Sequence, residues 1–357
     1  MRLHLPAVPG QPQTKANSTE AFTNKVVRFA EMMVPRGHEV LIYGDPRADT
    51  GATEYVPCYP FSDPQPFTAG AWEPFNEAAA KEIEKRAEPG DVLALIGGTC
   101  QASLAAKLPH LRVVEFGIGY PGSFAPYRVF ESYAWANSTY GKEVVGGIGN
   151  IDPPFYDAVI PGYFNPNEFP ERGDDMGYLL FVGRLIERKG VEIAVEVARR
   201  LGMTILLAGE GDYKPTGKFV HYIGTVEPDE RAELMSGASC LIAPTTYSEP
   251  FGNIVPEAHL SGGCPTVTTD FGAFTETNPH GVTGYRARTM GEFVKATLMA
   301  QSLDRQAIRQ RAVANYSYGA IAPKYEAYFD QLETLFTPEG FYTGWEGIST
   351  THRYGTL

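Results

Sequence analysis

The sequence predicts an α/β protein made of two doubly wound, Rossmann-like domains. Short continuous apolar runs alternate with helical patterns along most of the chain, the pattern of parallel strands covered on both faces. A stretch rich in Pro, Gly, Asn, Asp and Glu, residues 161–177, interrupts this series, and the same alternation then starts again. The length, 357 residues, suits two domains of ordinary size.

The elements follow in order. Arg2 to Leu5 is a short apolar strand stopped by Pro6. Ser18-Thr19-Glu20 is a helix start, and Phe22, Val26, Phe29, Ala30 and Met33 recur at helical spacing until Pro35 and Gly37. Val40 to Tyr43 is the next strand, and a strand–helix–strand unit of this kind gives parallel strands with a right-handed crossover. Residues 76–87 are expected to be helix, Val92 to Ile96 strand, Ser103 to Leu108 helix and Val113 to Phe116 strand. After the linker come the strand Tyr178 to Val182, the helix Val191 to Leu201 and the strands Thr204 to Ala208 and Phe219 to Ile223. The helix Glu230 to Ser236, the strand Cys240 to Ala243, a helix over 253–261 and the strand Thr266 to Thr269 follow. Helix dominates 291–335, and the Gly- and aromatic-rich end is expected at the surface. The expected domains are 1–163 and 164–319, with 320–357 packing back on the first. Paired domains of this type bind ligands in the cleft at the carboxyl ends of their strands.

Composition narrows the function. Apolar residues are 43% and charged residues 20%, which excludes disorder as the main state. The net charge is −12, divided as −5 over residues 1–163 and −7 over the rest, so neither half has the basic surplus of a nucleic-acid module. Four separated cysteines with no CxxC pair fit reduced thiols rather than a disulfide scaffold or zinc ribbon. No apolar run is long enough to span a membrane, and the opening stretch is too short for a secretory signal. A cytoplasmic protein is therefore expected.

Two loops carry chemistry. Tyr247-Ser248-Glu249-Pro250-Phe251-Gly252-Asn253-Ile254-Val255-Pro256-Glu257 follows a strand and enters a helix. Backbone N–H groups at such an entry favour a phosphate, and Glu249 and Glu257 can accept hydrogen bonds from two parts of one extended ligand. For the glutamates alone, a cap and a solvated helix residue are the simpler reading. The second loop, Gly183-Arg184-Leu185-Ile186-Glu187-Arg188-Lys189-Gly190, also joins a strand to a helix. Its Arg184 and Lys189 suit a diphosphate, one as a planar fork and the other as a point charge.

Taken together, Gly183-Arg184 and Lys189-Gly190, Ala208-Gly209-Glu210-Gly211, Tyr222-Ile223-Gly224, Pro244-Thr245 with Glu249-Pro250-Phe251-Gly252 and Glu257-Ala258, Gly262 to Asp270, and Gly281-Val282-Thr283-Gly284-Tyr285 resemble the retaining GT-B glycosyltransferases of family 4 (glycosyl transferases group 1). The resemblance is dense over 178–290. It implies a sugar transferred from a nucleotide-diphosphate sugar to an acceptor hydroxyl, with retention and without a metal or other cofactor. The implied catalytic residues are Arg184 and Lys189 on the diphosphate and Glu249 on the donor sugar. Glu257 would take the ribose hydroxyls. Gly183, Gly209, Tyr222 and Gly224, with the backbone at Phe251, Gly252, Asn253 and Ile254, would complete the donor site. No Asp-x-Asp stands at a strand end, and Asp174-Asp175 falls in the linker as a solvated turn. No carboxylate is an obvious covalent nucleophile, which favours a front-face mechanism.

The first half resembles the family more loosely, through Arg36 to Val40, Ile118 to Gly122 and Tyr127 to Trp135. It departs from the family at Thr14 to Ser18, where a Gly-Gly pair is usual, and at Glu115 to Ile118, where a histidine is usual. The acceptor-side candidates are Lys15, Asn17, Gly119, Tyr120 and Arg128. His4 is a further candidate for the ligand end, whereas His38 reads as structural. The aromatic group Phe124, Tyr127, Phe130, Tyr133 and Trp135 reads first as core or domain interface and second as a stacking surface. Acceptor and oligomeric state are open, with DNA disfavoured by charge. A sugar-nucleotide epimerase and a silent sugar-nucleotide-binding module are the alternatives.

Overall fold

The structure, a computed structural model, describes residues 1–14, 21–44, 46, 48–59, 69–143, 156–213 and 215–335. Its contacts group into two compact units. One holds Met1–Glu131, Ala136–Tyr163 and the chain from Ile321 onward; the other holds Ser132–Trp135 and Phe164–Ala320. The grouping of Ser132–Trp135 with the second unit is marked by no shift in composition. Lys15, Asn17 and the chain beyond 335 lie outside the described residues.

The strands of the first unit are β1 (Arg2–Pro6), β2 (Glu39–Gly44), β3 (Glu54–Pro57), β4 (Val92–Leu95), β5 (Arg112–Ile118), β6 (Tyr127–Phe130) and β7 (Ala158–Val159). They pair in parallel in the order β3-β2-β1-β4-β5-β6-β7. The helices α1 (Ala21–Met33), α2 (Ala69–Glu84), α3 (Ala102–Lys107) and α4 (Tyr133–Glu143) follow in sequence. Trp72, Phe75, Ala79 and Ile83 of α2 pack on Leu41, Tyr43, Leu93 and Leu95 of the sheet. Elsewhere in this unit Phe29 of α1 meets Phe116 of β5 at 4.7 Å between ring centres and Tyr325 edge-on at 5.2 Å. The C-terminal segment from Ile321 therefore contributes core to the first unit.

The second unit contains β8 (Tyr178–Val182), β9 (Thr204–Ala208), β10 (Val220–Gly224), β11 (Cys240–Ala243), β12 (Thr266–Thr269) and β13 (Gly284–Ala287). All pair in parallel, in the order β10-β9-β8-β11-β12-β13. Its helices are α5 (Val191–Leu201), α6 (Pro228–Gly237), α7 (Ile254–Leu260), α8 (Phe274–Thr277), α9 (Met290–Ala300) and α10 (Arg305–Tyr316), after which α11 (Tyr318–Thr334) begins. Alternate residues of β8 serve opposite layers. Leu179 and Phe181 pack with Val191, Ala194 and Val197 of α5 and Phe293 of α9, whereas Leu180 packs with Met235 of α6 and Val255 and Ala258 of α7. Burial on both faces explains why these strands appear in the sequence as unbroken apolar runs.

Several elements differ from expectation. The helix expected at 76–87 begins at Ala69 and passes through Pro74. Strands β3, β6, β7 and β13 and helices α4 and α8 were not expected. Apart from α4, of 11 residues, these are short elements; β3 and β13 carry charged or half-buried residues and lack a continuous apolar run. Among the described residues no helix is long and apolar enough to cross a membrane.

Candidate functional site

In each sheet the strand order reverses once, between β1 and β4 and between β8 and β11. Loops at such a switch point diverge and leave room for a ligand at the carboxyl ends of the strands. In the second unit the loops leaving β8 and β11 are the two that carry Arg184, Lys189 and Glu249.

The loop after β8 closes with a turn of 3-10 helix over Glu187–Lys189, ended by Gly190 at φ +73°. Any side chain at Gly190 would overlap the Pro244 carbonyl oxygen, so the two loops lie in direct contact. Thr246 N and Oγ1 both donate to the Arg188 carbonyl, at 2.9 and 3.2 Å. This fixed approach brings Lys189 Nζ onto Glu249 Oε1 across sixty residues of sequence. Tyr247 OH donates to the same carboxylate oxygen at 2.8 Å, with Thr245 Oγ1 at 3.4 Å. The Arg188 guanidinium lies 3.9 Å from the centre of the Tyr247 ring, and Lys189 Nζ lies 5.1 Å from it.

The electrostatics follow from burial and pairing. Burial opposes charge on Lys189, but Glu249 outweighs it, and the ammonium is held above its ordinary range. Tyr247 is also pushed up, by burial first and then by Glu249. Lys189 and Glu249 neutralise each other. Arg184 is exposed and, among the described residues, makes no hydrogen bond or ion pair. Glu249 Oε2 likewise makes no hydrogen bond among the described residues, so the pair retains one acceptor oxygen.

Glu257 lies on α7, buried, with Arg231 Nε at 3.2 Å from its Oε2. Gly209 takes φ +137°, where a side chain would overlap the Gly183 carbonyl. Its N–H donates to Gly224 O at 2.8 Å and Gly183 N–H to Ala208 O at 2.9 Å, stitching the ends of β8, β9 and β10 together. Tyr222 is 39% exposed on the edge strand β10. The Phe251 side chain is buried against Tyr316, at 5.9 Å between ring centres, which leaves only its backbone for a ligand. Gly252 has φ +77°, and Asn253 stands at the start of α7, a helix of seven residues, shorter than expected. The pairings Lys189–Glu249 and Glu257–Arg231 and the Tyr247–Arg188 stack are absent from the sequence reading. Only the pattern of basic residue, aromatic and acid in facing loops hints at them.

The acceptor-side candidates of the first unit are placed differently from expectation. Arg128 is buried, with Nη2 at 2.9 Å and Nε at 3.0 Å from Asp157 Oδ2, and Tyr140 OH joins the same oxygen. It works as a structural ion pair. Tyr120 OH donates to Glu115 at 3.0 Å, and Glu115 also accepts from Phe124 N and Ala125 N. Burial pushes both groups up, with the Glu115 charge adding to Tyr120. Gly119 and Tyr120 thus belong to a loop tied down by one buried carboxylate. His4 does not face a ligand end. It is fully buried between Tyr43 OH, at 2.7 Å, and Asp91, at 2.9 Å, and Asp91 precedes β4. His38 bonds to Glu326. Of the aromatic group, Tyr127 and Phe130 are buried on β6 and Tyr133 is 66% exposed.

The family described as Glycosyl transferases group 1 matches residues 177–301, the segment that holds this site. Similar curated proteins include an uncharacterized glycosyltransferase of Methanocaldococcus jannaschii, 30% identical over 31% of this chain and 32% of its own length. A phosphatidyl-myo-inositol mannosyltransferase of Mycobacterium leprae is 23% identical over 87% of this chain and 92% of its own length. Among solved structures, the avilamycin A biosynthesis glycosyltransferase AviGT4 superposes with a TM-score of 0.69 at 20% identity, covering 93% of this chain and 98% of that one. The chain is similar to the GT-B glycosyltransferases of the family 4 type, in sequence over residues 177–301 and in fold over nearly its whole length. The Anabaena protein HepE, solved with UDP-glucose, shares the fold at a TM-score of 0.66 and 14% identity, covering 92% of this chain and 99% of that one. The matched segment coincides with the second unit's β8–α9, so the switch-point loops lie within it.

Proposed function

We propose that this glycosyltransferase moves a sugar from a nucleotide-diphosphate sugar to an acceptor hydroxyl with retention of anomeric configuration. The observation that carries the reading is the meeting of Lys189 and Glu249 at the switch point, with Lys189 on the same strand-to-helix loop as the exposed Arg184, and with Arg184 and Glu249 Oε2 making no hydrogen bond among the described residues. A diphosphate satisfies Arg184 by bidentate hydrogen bonds and takes a share of the Lys189 ammonium. Glu249 Oε2 accepts from a hydroxyl of the donor sugar, and Glu257 from the ribose. As the sugar–phosphate bond breaks, charge builds on the departing diphosphate, and two preset cations stabilise it there. In the front-face path the leaving phosphate oxygen takes the acceptor proton while the acceptor oxygen joins the anomeric carbon on the same face. The cations serve where another enzyme would place a divalent metal, so turnover is expected to persist in EDTA.

The experiment is a thermal-shift screen against UDP, GDP, ADP, CMP and dTDP and their common sugars, with UDP-glucose first because a protein of the same fold binds it. A ligand at a hundred times its Kd adds about 2.7 kcal/mol to stability. One nucleotide diphosphate standing out supports the reading. The absence of a shift with every nucleotide overturns it. An epimerase would change donor stereochemistry with no acceptor present, and a silent module would bind donor and never release the sugar.

A further inference from the structure

The first unit holds a second polar centre that donor binding does not use. Lys25 of α1 donates from Nζ to the Gly117 carbonyl at 2.9 Å and to Glu131 Oε2 at 2.7 Å. Gly117 presents that carbonyl because β5 slips in register against β6 between Glu115 and Ile118, with Gly117 at φ +58°. Irregularities of this kind re-aim groups beside functional sites. Glu131 directly follows β6, so the pair stands at the carboxyl ends of its strands, the end of a parallel sheet that takes ligands. The Glu131 side chain is 4% exposed and that of Lys25 is 13% exposed.

The hydrogen bonding of this centre is incomplete. Glu131 Oε1 is buried and, among the described residues, has no partner; the Tyr325 hydroxyl is buried and unpartnered in the same way. Burial, with the Glu131 charge adding to it, keeps Tyr325 in its neutral hydroxyl form. Among the described residues Lys25 uses two of its three N–H groups. A buried carboxylate oxygen left without a donor is unfavourable, so its retention calls for an explanation beyond packing.

We propose that Lys25 and Glu131 form an acceptor-binding site of this transferase, one that takes an alcohol group of a neutral polyhydroxylated acceptor. The inference rests on the transfer reading above. A hydroxyl oxygen accepts from the third N–H of Lys25 while its proton goes to Glu131 Oε1, so one alcohol matches both open valences. A carboxylate has no proton to donate, and phosphate, although its monoanion and dianion carry one, brings its own negative charge against Glu131. The partly exposed Lys25 is the member that gives a ligand access.

The test compares the wild type with Lys25→Met/Glu131→Leu, which removes both charges together and leaves no lone buried ion, and with the isosteric Glu131→Gln as a second variant. Saturation-transfer NMR with myo-inositol and methyl α-glucopyranoside reads the site directly, with inorganic phosphate as the contrasting probe. Melting temperature and the UDP-induced thermal shift report whether fold and donor site are intact. The expected result is polyol signal in the wild type, at least tenfold weaker in the double variant and reduced in Glu131→Gln, with the UDP shift unchanged. In turnover of UDP-glucose the released sugar then moves from polyol to water as acceptor. Equal polyol signal in wild type and variants, or none in the wild type, overturns the proposal. Failure of the transfer reading is a separate result, the absence of any nucleotide shift in the wild type, and the polyol comparison still decides the role of the pair.

Discussion

His259 links acid stability to the helix that carries Glu257. It is fully buried on α7, with Nε2 at 3.0 Å from Thr266 Oγ1 of β12. Burial drives the imidazole down from its ordinary 6.5 to about 3. The folded state therefore binds the proton only near pH 3, whereas the unfolded chain binds it near 6.5. The unfolded state holds more protons between those values, so stability rises with pH. The contribution is fully present above pH 6.5 and is lost as pH falls toward 3. At about 1.36 kcal/mol per unit of pKa, the whole effect is roughly 5 kcal/mol, and the part lost between pH 7.5 and 5 is about 2 kcal/mol. For a unit of this size that is roughly 4–8 °C in melting temperature. The assay is the melting temperature of wild type and His259→Gln across that range. Buried His4, lowered by burial in the same sense, is common to both proteins and cancels in the difference. The variant is expected to start lower and to lose less as the solution is acidified. Parallel pH profiles would refute the reasoning.

Other outcomes follow from the same geometry. Arg184→Ala removes a side chain with no hydrogen-bond or ion-pair partner among the described residues and is expected to leave stability within about 0.5 kcal/mol while lowering kcat roughly 100- to 1000-fold; steady-state kinetics beside a melting curve checks both. Lys189→Met leaves Glu249 buried without its cation, and chemical denaturation is expected to show a loss of about 3 kcal/mol, with nucleotide affinity reduced in calorimetry. Arg128→Met breaks the pair with Asp157 in the first unit. It is expected to destabilise by about 3–5 kcal/mol, and the UDP shift of the protein that does fold is expected to stay near the wild-type value.

Most of the second unit was readable from residue order because its central strands are buried on both faces. Tyr178–Val182, Thr204–Ala208, Cys240–Ala243 and Thr266–Thr269 appear in the sequence as apolar or β-branched runs with the same bounds as in the structure. Edge elements were harder. Glu54–Pro57 is largely exposed and Gly284–Ala287 part-buried, and both carry charge within only four residues, so periodicity has little to detect. At the site, residue types identified Arg184, Lys189 and Glu249, because a guanidinium, an ammonium and a carboxylate after parallel strands have recognisable chemistry. The identity of Lys189's partner depends on loops meeting across sixty residues, which spacing does not encode. The acceptor side shows the converse. Arg128 has the chemistry of a ligand residue, but Asp157, far along the chain, takes it into the core. Lys25 drew no attention because it belongs to no motif, and Glu131, although inside the family-like stretch Tyr127 to Trp135, was given no role of its own.

The central claim is transfer from a nucleotide-diphosphate sugar with retention. The most direct measurement is proton NMR of the first sugar released or transferred from an α-linked donor, read before the free sugar mutarotates. The account predicts the α anomer. A β product would contradict the front-face path and the roles assigned to Arg184, Lys189 and Glu249.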